Sequence, residues 1–102
     1  MPTWRVNLTD EARQDFKKLD GSRRILVAKQ LTKLEKDPHM GKHLGNKMGM
    51  DLTGYYKLSA DKKRVRIVYF IEGDLIKVIA IGEREEMEIY HLASKRITEE
   101  TQ

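Results

Sequence analysis

The chain contains no cysteine. Disulfides, thiolate metal sites and cysteine nucleophiles are therefore excluded. It also lacks any window approaching the roughly 18 apolar residues that cross a bilayer. Its first residues, Met1-Pro2-Thr3-Trp4-Arg5-Val6, do not have the basic-then-apolar order of a secretory signal. A cytoplasmic protein with no membrane partner is expected. Metal ligands are sparse: His39 and His43 stand four apart in a glycine-rich stretch, and two histidines fall short of a zinc site. Gly41-Lys42 and Gly45-x-Lys47 lack the spacing, and the following Ser or Thr, of a phosphate-binding loop. No metal, cofactor or nucleotide site is expected.

What is present is charge. At 102 residues the chain fits one domain, spanning 1–102, with 98–102 read as a flexible tail. Charged residues make up 35% against 39% hydrophobic, which predicts a thin core under a heavily solvated surface. The net charge of +4 is unevenly spread: residues 1–84 hold 18 basic and 11 acidic side chains, and 85–102 hold two and five. Lys42 to Arg66 is the most polarised stretch, with Lys42, Lys47, Lys57, Lys62, Lys63, Arg64 and Arg66 against Asp51 and Asp61. A local excess of this kind is the electrostatic footprint of a polyanion site.

Periodicity orders the elements. Trp4 to Leu8 alternates apolar and polar residues and predicts a strand. Thr9, followed by Asp10 and Glu11, caps a helix carrying Ala12, Phe16 and Leu19. Asp20-Gly21-Ser22 breaks that helix and caps a second, whose Val27, Leu31 and Leu34 share one face until Asp37-Pro38. Residues 39–53 show no period and read as a loop. Tyr55 to Ala60, Arg64 to Ile71 and Leu75 to Ile81, separated by short polar turns, predict an antiparallel meander. Glu88 to Ile97 predicts a short strand and a final helix.

Alternation within the meander sorts its faces. Val65, Ile67, Tyr69 and Ile71 point one way with Tyr56, Leu58 and Ala60, toward the helices. Lys57 and Arg66 emerge together on the other face, expected to be open. Cutting RNA without a metal needs activation of a ribose 2′-hydroxyl, charge stabilisation on the phosphate and departure of the 5′-oxygen. Lys57, Arg66, Arg84 and Tyr90 are the side chains in this half suited to that work. Lysine titrates near 10.4, so a lysine base requires crowding by like charge to lower its pKa.

The ordered set Gly54-Tyr55-Tyr56-Lys57-Leu58, Arg64-Val65-Arg66-Ile67-Val68-Tyr69 and Ile81-Gly82-Glu83-Arg84, with Tyr90 after it, resembles the RelE/ParE toxin superfamily from about Trp4 to Ile97. The resemblance implies an α+β fold, with an N-terminal strand and helical hairpin packed on an antiparallel sheet and a short C-terminal helix. It implies the toxin of a type II toxin–antitoxin system, a ribosome-dependent endoribonuclease that cleaves mRNA and is held by a cognate antitoxin. By the same resemblance Lys57 is the first catalytic lysine, Arg66 stabilises the phosphate, Arg84 serves the leaving group and Tyr90 stacks on a base. The family's second lysine is Ser59 here, which cannot supply that charge; Lys62 and Lys63 in the adjoining turn are the candidates to replace it. Lys42, Lys47, Lys62, Lys63 and Arg64 are expected to contact RNA or ribosome backbone. Two alternatives stay open: a ParE-like DNA gyrase inhibitor, and a degenerate member that only binds its antitoxin.

Overall fold

The computed structural model describes residues 4–47 and 49–100. In chain order the elements are β1 (Arg5–Leu8), α1 (Asp10–Lys18), α2 (Gly21–Leu34), β2 (Lys42–Lys47), β3 (Met50–Ala60), β4 (Val65–Glu72), β5 (Leu75–Gly82) and α3 (Glu86–Glu100). The class is α+β, as expected. Local chemistry sets the helical hairpin. The Thr9 hydroxyl accepts from the Ala12 amide at 3.1 Å, and the Asp20 carboxylate accepts from the Arg23 amide at 2.9 Å, so each helix starts on a capped donor.

The five strands form one sheet in the order β1-β5-β4-β3-β2. The first strand joins it parallel to β5, and the remaining pairs are antiparallel, so the sheet is mixed. Val27, Leu34, Tyr56, Ile67 and Tyr69 are among the buried residues of the core between the sheet and α1–α2. This is the face that alternation assigned. The opposite face is not open: Val68, Ile79 and Ala80 pack there against Ile89, Tyr90 and Ala93 of α3. The C-terminal segment is one 15-residue helix with no strand before it, and its last turn takes in residues 98–100 of the expected tail. Residues 101–102 lie outside the described set. No helix among the described residues is long and apolar enough to cross a membrane.

The expected loop over 39–53 is largely strand. Strand β2 pairs with Met50 to Lys57 of the eleven-residue β3, with a register irregularity between His43 and Gly45. It is an edge strand held mainly by its backbone ladder, and Leu44 is its one buried residue. An edge with little apolar surface leaves no hydrophobic period to detect, and its lysines discourage further strand pairing.

Two features tie the layers together. Strand β1 covers β5 only as far as Val78, and Thr9 donates its amide to the Val78 carbonyl before α1 begins. Beyond it, the outward Ile81 amide donates to Asp15 Oδ2 at 3.0 Å, and the Ile79 carbonyl accepts from Arg96 Nη1 at 2.9 Å. Asp15 and Arg96 also pair with each other at 2.6 and 3.1 Å, and both are nearly buried. The Asp15 carboxylate is the main reason that the Arg96 pKa is raised. Separately, the β3–β4 turn carries Asp61, Lys62 and Lys63 at φ 51°, 55° and 71°, three left-handed L-residues in succession. Arg23 Nε holds Asp61 Oδ2 at 3.1 Å, and Arg23 Nη1 also reaches Glu83 Oε2 at 2.7 Å.

Asp15→Ala leaves the Ile81 amide without its acceptor and leaves Arg96 with Glu11 at 3.5 Å and the Ile79 carbonyl. It should cost about 3 kcal/mol in chemical denaturation. Lys62→Gly should raise stability by about 0.5–1 kcal/mol, the left-handed penalty relieved less the greater entropy of an unfolded glycine. An unchanged midpoint in either variant would contradict the structural account.

Candidate active site

The register of β3 on β4 builds the site. Lys57 lies opposite Val68 and Ser59 opposite Arg66, so Lys57 and Arg66 are diagonal neighbours on the α3 face. Gly41 closes the wall behind them. Its amide donates to the Tyr69 hydroxyl at 3.1 Å, and that hydroxyl donates to the Pro38 carbonyl at 2.8 Å. Burial pushes the Tyr69 phenol up to about 12. A Cβ at position 41 would strike the Tyr69 hydroxyl and stand 2.6 Å from the Lys57 carbonyl, so the wall has room for glycine alone.

Between these elements lies a cleft of about 300 Å³. The cations Lys42, Lys57, Lys63 and Arg66 line it, with one carboxylate, Glu86. Lys57 Nζ donates to Glu86 Oε1 at 2.6 Å and stands 5.9 Å above the centroid of the Tyr90 ring. Arg66 Nη1 donates to the Arg84 carbonyl at 2.9 Å, so the bend before α3 orients the guanidinium.

Like-charge crowding was expected to lower the Lys57 pKa; instead it is raised. The cause is the hydrogen bond to Glu86, which outweighs desolvation by burial. Glu86 is held below the usual carboxylate range by the same hydrogen bond, with the charges of Lys57, Arg66 and Lys47 adding to it. Each partner favours the other's charged form.

The other expected site residues separate. Ser59 lines the cleft beside Lys57 and leaves the place of a second lysine neutral; Lys63 lines it too, whereas Lys62 faces a different hollow beside α2. Arg64 lies in an adjoining depression with Arg23 and Glu83. The Arg84 head group is outside the cleft. It borders a separate hollow with Asp15 and Lys18, and its Nη1 is 3.9 Å from Glu88. Its backbone turns at the end of β5 before α3 starts, so only its carbonyl faces Arg66. Tyr90 departs from expectation in another way: at 2% exposure its ring forms the floor beneath Lys57 and presents no face to a base. Its hydroxyl is buried, with the Lys57 ammonium as its electrostatic neighbour.

Glu86 escaped the sequence reading. The available signal was its spacing: Glu86 and Tyr90 are four apart and share a face once the helix is known to begin at Glu86. No group of three or more His, Cys, Asp or Glu among the described residues is arranged to hold a metal.

With this geometry in hand, the matches to known proteins fall on the same elements. The family model described as the ParE toxin of type II toxin–antitoxin system, parDE, matches residues 6–88. The chain belongs to the ParE/RelE toxin family. This toxin is 32% identical over 96 residues to a protein of Escherichia coli described as RelE-like, a match covering 92% of the toxin and 97% of that relative. A solved structure of E. coli RelE, a double-arginine mutant in the free state, is similar with a TM-score of 0.72. The identity is 25%, over 93% of the toxin and 98% of that chain. The toxin–antitoxin complex RelBE2 of Mycobacterium tuberculosis shares the fold, with a TM-score of 0.67 and 23% identity over 80% of the toxin and 99% of that chain.

The Lys57–Glu86 pair has a pH signature. Glu86 titrates from an unfolded value near 4.5 and Lys57 from one near 10.5. The stability the pair contributes is therefore full between those values. It is lost as pH falls through the lowered carboxylate pKa or rises through the raised ammonium pKa. Carbon-13 titration of the Lys57 Cε should place its midpoint above the ordinary lysine value, and Glu86→Gln should bring it down. A midpoint indifferent to that substitution would show the contact is not formed in solution.

Proposed function

We propose that this toxin is a ribosome-dependent endoribonuclease that cleaves mRNA by metal-independent attack of a ribose 2′-hydroxyl on the adjacent phosphate. The observation carrying this reading is the cleft itself, where Lys57 and Arg66 converge with Lys42 and Lys63 around a space suited to one phosphodiester. Arg66 is oriented from behind by the Arg84 carbonyl, so it meets a phosphate without first giving up freedom. Lys57, firmly protonated, acts as a charge stabiliser. Lys42, Lys47 and Arg64 at the margins contact RNA backbone, and Arg84 contacts a flanking phosphate beyond the scissile group. So few acid–base groups gain most when a large partner positions the substrate, and the ribosome supplies that. The mature complex includes a cognate antitoxin whose acidic segment covers the cationic face; relatives solved with RelB support such a partner.

A second reading, inhibition of DNA gyrase, is favoured by the ParE description of the matching family model. A third is a member that binds its antitoxin and does nothing else, motivated by Ser59. One experiment separates them. Purified toxin is added to a translation reaction and new 5′ ends on the mRNA are mapped, alongside Arg66→Ala and a gyrase supercoiling assay. Cuts that require ribosomes and fall by about 100-fold or more in Arg66→Ala are expected. Intact mRNA with blocked supercoiling would transfer the function to gyrase, and neither effect would leave antitoxin binding alone.

A further inference from the structure

We propose that Glu86 is the general base of the cleavage reaction, a role that the cleft geometry gives to no other side chain. The inference rests on the nuclease reading above and adds the group that starts the chemistry. A base for a 2′-hydroxyl must line the cleft and be unprotonated at neutral pH. The titratable side chains lining the cleft are Lys42, Lys57, Lys63, Arg66 and Glu86, and no histidine is among them. His39 and His43, both exposed, pack instead on the ring of Tyr56, which belongs to the core of the opposite sheet face.

The cations fail as bases on population. With the Lys57 pKa raised above its ordinary value, fewer than about one molecule in a thousand carries a neutral amine at pH 7. Arginine scarcely deprotonates. Glu86 is the reverse case, because the charges that act on it, Lys57, Arg66 and Lys47, all keep it ionised. Lys57 holds it from β3 at 2.6 Å, Arg66 acts from β4 and Lys47 from β2. Lys42 and Lys63 line the same cleft. On its own helix Tyr90 lies beneath Lys57, and the positive end of the α3 dipole adds to the effect. The carboxylate is a weak base that is present in nearly every molecule, aimed by a lysine and half exposed toward the substrate.

The step balances as follows. A Glu86 oxygen takes the 2′-hydroxyl proton while the 2′-oxygen electron pair forms a bond to phosphorus. The bond from phosphorus to the 5′-oxygen breaks, and its electron pair stays on that oxygen, which takes a proton from water. The products are a 2′,3′-cyclic phosphate and a 5′-hydroxyl end, and Glu86 returns its proton to solvent. Lys57 and Arg66 remain cations throughout.

The same contact admits an opposite role, in which Glu86 merely occupies the lysine and blocks the phosphate. Single-turnover cleavage of mRNA on stalled ribosomes decides between them. Glu86→Gln keeps the shape and a hydrogen-bonding oxygen but cannot accept the proton. Its cleavage rate should fall by about 100- to 10,000-fold, with ribosome binding undiminished and the fold retained by circular dichroism, the melt dropping only by the small share of one half-exposed ion pair. The wild-type rate should vary less than about threefold from pH 6 to 9, since a carboxylate base is already fully ionised; a lysine base would give a rise of about tenfold per pH unit. The residual rate of Glu86→Gln should climb with pH as solvent takes over. Glu86→Gln cutting as fast as wild type or faster, or a wild-type rate that climbs tenfold per unit, would overturn the role of Glu86 and leave the nuclease reading standing. Wild-type protein that makes no cuts would overturn both.

Discussion

The site depends on how the structure closes the free edge of β5. Strand β1 stops at Leu8, leaving the outward Ile79 carbonyl and Ile81 amide with no strand partner. Unpaired backbone groups in a protected position carry a cost comparable to a lost hydrogen bond. Asp15 from α1 and Arg96 from α3 take those two places and also bind each other. A nearly buried ion pair is by itself weak support for stability, because desolvation consumes most of its Coulomb energy. This pair does more, since each partner also satisfies the sheet. It thereby fixes the two helices that lie on opposite faces, and with α3 it fixes Glu86 and Tyr90 over the β3–β4 ladder.

From that anchor the two faces of the sheet divide the work. Tyr56, Ile67 and Tyr69 face α1 and α2 and are spent on the core, while Lys57 and Arg66, their neighbours along the strands, face the other way. The α3 face is itself half core: Val68, Ile89 and Tyr90 pack there, and only its rim is polar. Lys57 thus stands on an apolar floor with its ammonium at the rim. That is the setting in which a carboxylate partner has most effect, because water screens it less than on an open surface.

The parts of this arrangement that were legible in the sequence are those with a period. Alternation along Val65 to Ile71 assigned the faces of β4, and Thr9 and Asp20 marked the helix starts through their capping chemistry. Strand β2 has no such mark, since an edge strand held by backbone bonds, with Gly45 at positive φ, needs little hydrophobic surface. The face expected to be open is covered because α3 packs on it as one helix that starts at Glu86, two residues before the expected segment, and so puts Glu86 and Tyr90 on a common face. Arg84 illustrates a different limit. Proximity in the chain to Arg66's partner strand is real, but a bend residue can offer its carbonyl to the site and send its side chain elsewhere. The sign of the Lys57 shift followed from the same gap: counting cations near Lys57 without the one carboxylate that touches it gives the wrong direction.

The composition of the cleft then has an internal logic. Ser59 removes one positive charge from the position beside Lys57, and Glu86 neutralises a second, so the field presented to a phosphate is weaker than the count of lysines suggests. Weaker ground-state attraction to RNA does not imply weaker catalysis, because only interactions that strengthen in the transition state lower the barrier. In the reaction proposed above, passage of a 2′-hydroxyl proton to Glu86 would remove the carboxylate's charge and relax its hold on Lys57. The ammonium is then free to follow the negative charge that builds on the phosphoryl oxygens. Under that proposal the ion pair is a ground-state contact exchanged for a transition-state one, which would suit the cleft to RNA already held in place by a larger partner.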